Sequence, residues 1–169
     1  MGFFKRNRTS DLEAVANAPV GARVTVEGTG AVIGGTLVFE NAGDRWVEHR
    51  FATDDGRQMW VSIENFDRTV ATRWDLADPN AVTGGPDVAR AGYQGTPFNR
   101  SETGTASFVA KGDTGCSENG SVDFVDFSSG DGRRLGFERY GEVGAVRRVR
   151  RRATSASTIV PTTSTATTT

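Results

Sequence analysis

One cysteine and one histidine in 169 residues remove several chemistries at once. A single thiol excludes an intramolecular disulfide framework and a multi-cysteine zinc site. A single imidazole excludes a His-rich metal centre. No apolar run reaches the roughly eighteen residues of a membrane-spanning helix. The first residues lack the charged–apolar–small order of a signal peptide. These absences set the expectation of a cytoplasmic protein with no metal and no cofactor. What is present is 36% hydrophobic and 24% charged, the composition of a soluble globular chain.

The net charge of −1 conceals an uneven layout. Lys5, Arg6 and Arg8 stand near the start, and Arg147, Arg148, Arg150, Arg151 and Arg152 near the end. With eight of the 20 basic residues in those two clusters, 12 remain in the middle against all 21 acidic residues, a net of −9. Phe3 and Phe4 adjoin the first cluster, so these ten residues form a candidate surface for anionic headgroups. Myristoylation at Gly2 is not expected, because residue 6 is Arg6 rather than Ser or Thr. The competing reading is of solvated ends that aid solubility.

Ser10-Asp11-Leu12-Glu13 reads as a capping box that opens a short helix ended before Pro19. From there the pattern turns to period two. Strands are expected over residues 23–27, 32–40, 45–53, 58–63, 69–74, 105–110, 121–127, 133–140 and 145–149. Asp55-Gly56, Asn119-Gly120 and Asp131-Gly132 read as tight turns. The fold class is therefore all-β, a barrel or sandwich. Residues 77–100 read as a long crossing loop.

Gly35-Thr36-Leu37-Val38-Phe39 and Gly104-Thr105-Ala106-Ser107-Phe108 introduce two similar halves, each later carrying an Asp-Gly-Arg turn. Two related β-meander units are expected, at about 21–76 and 100–149, within one domain spanning 10–152. Residues 1–9 form a basic and aromatic N-terminal segment. The Thr/Ser-rich residues 153–169 have too little apolar surface to offset ordering entropy and are expected to be disordered.

Catalytic constellations are sparse. Asp113 to Glu118 lacks the spacing of a calcium loop, and Asp54-Asp55 fits a hairpin turn better than a metal site. Cys116 could act as a nucleophile only if folding brought His49 to it. Glu64 and Glu138 sit at matching positions in the two halves, where a pseudo-twofold could pair them. Neighbouring Arg57 and Arg139 are the simpler partners. Gly28-Thr29-Gly30 lacks the Lys and Ser or Thr of a phosphate loop. Trp46, Trp60 and Trp74 are read as core rather than as a base-stacking platform, since the acidic body repels phosphates. No nucleic-acid partner is expected.

Trp46-Val47-Glu48-His49 followed by Met59-Trp60-Val61-Ser62-Ile63-Glu64, and then Asp131-Gly132-Arg133-Arg134-Leu135-Gly136-Phe137-Glu138-Arg139-Tyr140-Gly141, resembles the bacterial family of domain of unknown function 4178. The resemblance runs from about residue 21 to 148. His49 stands where the family pattern has tyrosine. The resemblance implies no catalytic residues. It implies a genetic neighbourhood of small membrane proteins, aminopropyltransferase-like proteins and membrane-stress factors.

The leading expectation is thus a non-enzymatic interaction module in an envelope-stress or polyamine-linked system. Its basic ends would bring it to an anionic membrane or membrane protein, as a peripheral protein on the inner face. The alternative is a polyamine or small-cation binding protein, or accessory enzyme, using Glu48, Glu64, Asp126 and Glu138.

Overall fold

The structure, a computed structural model, describes residues 8–65, 69–141, 146–152 and 159–162; for Arg8 and residues 146–152 it describes the backbone only. It opens with helix α1 (Arg8–Ala16). Ser10 is inside this helix rather than capping it, so the capping-box reading places the start three residues late.

The first meander follows: β1 (Arg23–Val26), β2 (Thr29–Asn41), β3 (Asp44–Thr53), β4 (Gln58–Asn65) and β5 (Thr69–Leu76). Then come a 3-10 turn (Pro79–Ala81), β6 (Val82–Thr83), β7 (Arg90–Tyr93) and β8 (Thr96–Gly112). The chain finishes with β9 (Asn119–Ser128), β10 (Arg134–Tyr140), β11 (Val146–Arg152) and β12 (Ile159–Pro161). The twelve strands among the described residues join one antiparallel sheet, ordered β12-β1-β2-β3-β4-β5-β11-β10-β9-β8-β7-β6. β2 pairs β8 as well as β3, so the ladder curls back on itself and gives the sheet an inner and an outer side.

One bulge divides those sides. The β2–β3 register shifts between Ile33 and Gly35. A one-residue slip exchanges faces in a strand whose side chains alternate. Ala31 and Ile33 therefore pack outward with Phe51, Met59, Val61 and Ile63 under Leu12 and Val15 of α1. Leu37 and Phe39, beyond the bulge, pack inward with Trp60, Trp74, Ala106, Phe108, Val122 and Tyr140. Gly35 is required here: a Cβ would lie 2.3 Å from the Asp113 carbonyl oxygen. A third cluster of Ala77, Ala91, Phe98, Phe127 and Leu135 covers the outside of the second meander.

Two expectations need correction. The stretch 77–100 is not a long loop. Ala91 and Phe98 are buried, Val82 and Tyr93 pack on the same cluster, and Gln94-Gly95 turns the β7–β8 hairpin with both residues at positive φ. The Thr/Ser-rich segment is not without structure throughout. Ile159 is buried and pairs with Val26 in the β12–β1 ladder, because Ile159 and Val160 supply the apolar surface its neighbours lack. The remainder of 153–169, apart from Thr162, lies outside the described residues, as do residues 1–7.

Candidate functional site: an acidic, aromatic cleft

The inner side of the sheet is not filled to its end. A cleft of about 400 Å³ remains beside the inward cluster. Alternation along the strands explains its lining. Trp46 and Glu48 on β3 share a face, opposite Glu64 and Ser62 of β4. Phe124 and Asp126 on β9 stand opposite Glu138 and Gly136 of β10. On the other flank they stand opposite Gly104 and Glu102 of β8. The four carboxylates expected from sequence, Glu48, Glu64, Asp126 and Glu138, all line this one cleft. Asp44 and Glu102 add two more, against a single described guanidinium, Arg134.

The walls are aromatic. Phe39 and Trp46 stack with ring centroids 5.0 Å apart, and Phe124 meets Trp46 edge-on at 6.4 Å. Trp74 donates its indole N–H to Ser62 Oγ at 3.0 Å, which fixes that ring. Glu48 is 1% exposed and Glu138 6%. Glu138 accepts a hydrogen bond from the Tyr140 hydroxyl at 3.1 Å, one of the bonds that makes burying a carboxylate tolerable. Trp60 and Trp74 are core residues as expected, yet Trp46 and Trp74 also serve as cleft walls.

The two tight turns that mark the halves are built alike. Thr53 N–H donates to the Arg57 carbonyl, and Asp55 takes the Thr53 hydroxyl and the Arg57 Nε–H. Ser129 N–H donates to the Arg133 carbonyl, and Asp131 takes the Ser129 hydroxyl and the Arg133 Nε–H. Laying one turn on the other carries Phe51 onto Phe127 and Met59 onto Leu135, all four buried. The same shift carries Glu64 onto Tyr140 and Ser62 onto Glu138. Glu64 and Glu138 are thus cleft neighbours without being equivalents, two residues out of the register read from sequence.

The basic clusters are placed differently from a pair of free ends. Phe3, Phe4, Lys5 and Arg6 lie outside the described residues, and Arg8 begins α1. Arg147, Arg148, Arg150, Arg151 and Arg152 belong to β11, an interior strand held between β10 and β5. In that ladder Arg148 stands opposite Glu138, and Arg152 opposite Trp74.

Other sequence candidates resolve into structural roles. His49 is fully buried on the opposite face of β3 from Glu48. Its ring nitrogens lie 2.9 Å from Thr36 Oγ1 and 2.9 Å from the Val15 carbonyl oxygen. Cys116 sits half-buried in the β8–β9 loop, its amide bonded to Thr114 Oγ1 at 3.2 Å. Asp54 pairs with Arg23, and Arg139 pairs with Asp123 rather than Glu138. Among the described residues no group of three or more His, Cys, Asp or Glu could hold a metal ion, and no helix is long and apolar enough to cross a membrane.

A family model described as domain of unknown function (DUF4178) matches residues 19–149, which contain the whole cleft. No curated protein and no solved structure matches the chain.

Proposed function

The chain belongs to the DUF4178 family, and we propose that it is a binding module whose inner cleft takes a small organic cation, with linear polyamines as the first ligands to test. The observation that carries this reading is the convergence of Glu48, Glu64, Asp126 and Glu138 with Trp46 and Trp74 on one cleft. Ammonium groups are drawn to carboxylates and to the faces of indole rings, and both gain strength where water is partly excluded. About 400 Å³ is within the usual range for small-molecule sites.

Titration calorimetry of the full chain with spermidine tests the reading. Heat and a thermal shift are expected, both reduced by salt and weakened by Glu64→Gln, a half-buried position that tolerates the neutral isostere. No heat and no shift at low salt overturn it.

Recruitment to an anionic surface is a second reading, supported by five arginines in one continuous strand, β11. It would place the module at the membrane in an envelope-stress setting. Co-sedimentation with anionic and zwitterionic vesicles tests it. Binding confined to anionic vesicles, and reduced by salt and by Gln substitution of the β11 arginines, supports it; no binding to either overturns it.

A further inference from the structure

We propose that α1 is a pH-released latch, clamped to the sheet by neutral His49 and freed when that ring is protonated. The proposal stands apart from the cation-binding reading, because His49 faces the helix side of β3.

The geometry fixes the ring's chemistry. A carbonyl oxygen only accepts, so Nε2 must donate to Val15 O across 2.9 Å. Nδ1 is then the acceptor and takes the Thr36 hydroxyl proton, also across 2.9 Å. Val15 O already accepts from the Ala18 amide, so the histidine seizes the last turn of the helix. A second proton must enter at Nδ1. Thr36, itself buried, would have to turn its own proton away.

The resulting cation would lie in an apolar setting of Leu12, Val15, Phe51 and Val61. Among the described residues, no ion pair includes His49. The charged groups on the surrounding elements are placed elsewhere. Arg73 of β5 is engaged by Glu27 and Asp75. Lys111 of β8 and Glu40 of β2 are exposed, as are Arg45 of β3 and Glu13 of α1, and Asp11 is half-buried one turn before Val15 on the same face of α1, with three side-chain positions between them. Glu48 faces the cleft. β4 and β12 bring no charge to this side.

Burial lowers the His49 pKa below 6.5, outweighing the Val15 and Ala16 carbonyls, which raise it. The sign follows. Docked α1 favours the neutral ring, while an undocked, hydrated ring takes a proton near 6.5. Docking is therefore complete above that pH and weakens as pH falls below it. Release of the nine-residue α1 breaks the Val15 bond to the ring and leaves the sheet ladders intact.

Amide hydrogen exchange on the full chain at pH 7.5, 6.5 and 5.5, corrected for intrinsic rates, tests the latch. Protection in α1 is expected to fall by up to about tenfold per pH unit below 6.5, the limit for one proton, while β8 and β9 stay protected. His49→Phe is expected to keep α1 protected at every pH. The ring itself can be titrated by NMR without ambiguity, because the chain has one histidine. Constant α1 protection, loss of β8 and β9 protection in the same step, an unchanged pH response in His49→Phe, or a ring that titrates at 6.5 or above in the docked state each overturns the proposal. Should His49→Phe not fold, the ring titration and wild-type exchange decide the matter.

Discussion

Trp46 lies almost flat on Phe39, the planes 14° from parallel, and both rings line the cleft. The stack leaves Trp46 little rotational freedom. A fixed ring recognises a cation at lower entropic cost than a mobile one. Trp46→Ala is expected to weaken spermidine binding by about 1 kcal/mol, a typical cation–π contribution. Trp46→Phe should retain part of it. Calorimetry gives the affinities, and circular dichroism shows that the sheet is intact.

The opposite wall depends on the absence of a side chain. A Cβ on Gly104 would lie 2.7 Å from the Phe124 ring and 3.4 Å from Asn41 Nδ2. Phe124 therefore rests against bare backbone and meets Trp46 edge-on. Gly104→Val is expected to drive Phe124 into the cleft, costing about 1–3 kcal/mol as overpacking does. Urea unfolding measures the loss, and spermidine affinity should fall with it.

Much of this was legible in the sequence, for identifiable reasons. Period-two alternation located nine of the strands, because burial on one side leaves a strong pattern. The carboxylates Glu48, Glu64, Asp126 and Glu138 followed from the acidic body between the basic clusters, and the similarity of the halves singled out Glu64 and Glu138 only, in a register two residues out. Asp44 and Glu102 did not, since the first residue of a strand and a residue at the Arg100/Glu102 irregularity carry no periodic signal. The bulge at Gly34 was invisible because a glycine pair does not state which residue is extra. Asn119-Gly120 read as a turn but opens β9, pairing with Val109 and Phe108. Its neighbours decided, with the chain reversing through the positive-φ residues Gly112 and Gly115 instead. The β11 arginines read as an end because charge says nothing about which backbone edge a strand completes.

The twin turns give the protein an acid response separate from that of His49. Asp131 is held well below the usual carboxylate range, first by Arg133 and then by the Ser129 hydroxyl. Asp55 is lowered chiefly by the Thr53 hydroxyl, and Asp123 chiefly by Arg139. A carboxylate with a depressed folded pKa contributes stability above its unfolded value, near 3.8 here, and loses it as pH falls towards the folded one. Stability is expected to decline further below pH 4. Asp131→Asn should flatten part of that decline, and salt should shrink the effect, because the group is exposed. Thermal melts at pH 2, 3, 4 and 5 check it.

Ile159 ties the C-terminal strand to the core. It is 3% exposed, packs in the cluster beneath α1 and pairs with Val26 of β1. β12 is three residues long, and its short ladder adds little without that side chain. Ile159→Ala is expected to cost about 2–4 kcal/mol, as removal of a buried isoleucine does. A chain ending at residue 158 should lose at least as much and leave β1 as an unpaired edge, prone to association. Urea unfolding gives the energies, and light scattering reports the association. A midpoint unchanged in both variants would mean that β12 does not hold the β1 edge in solution.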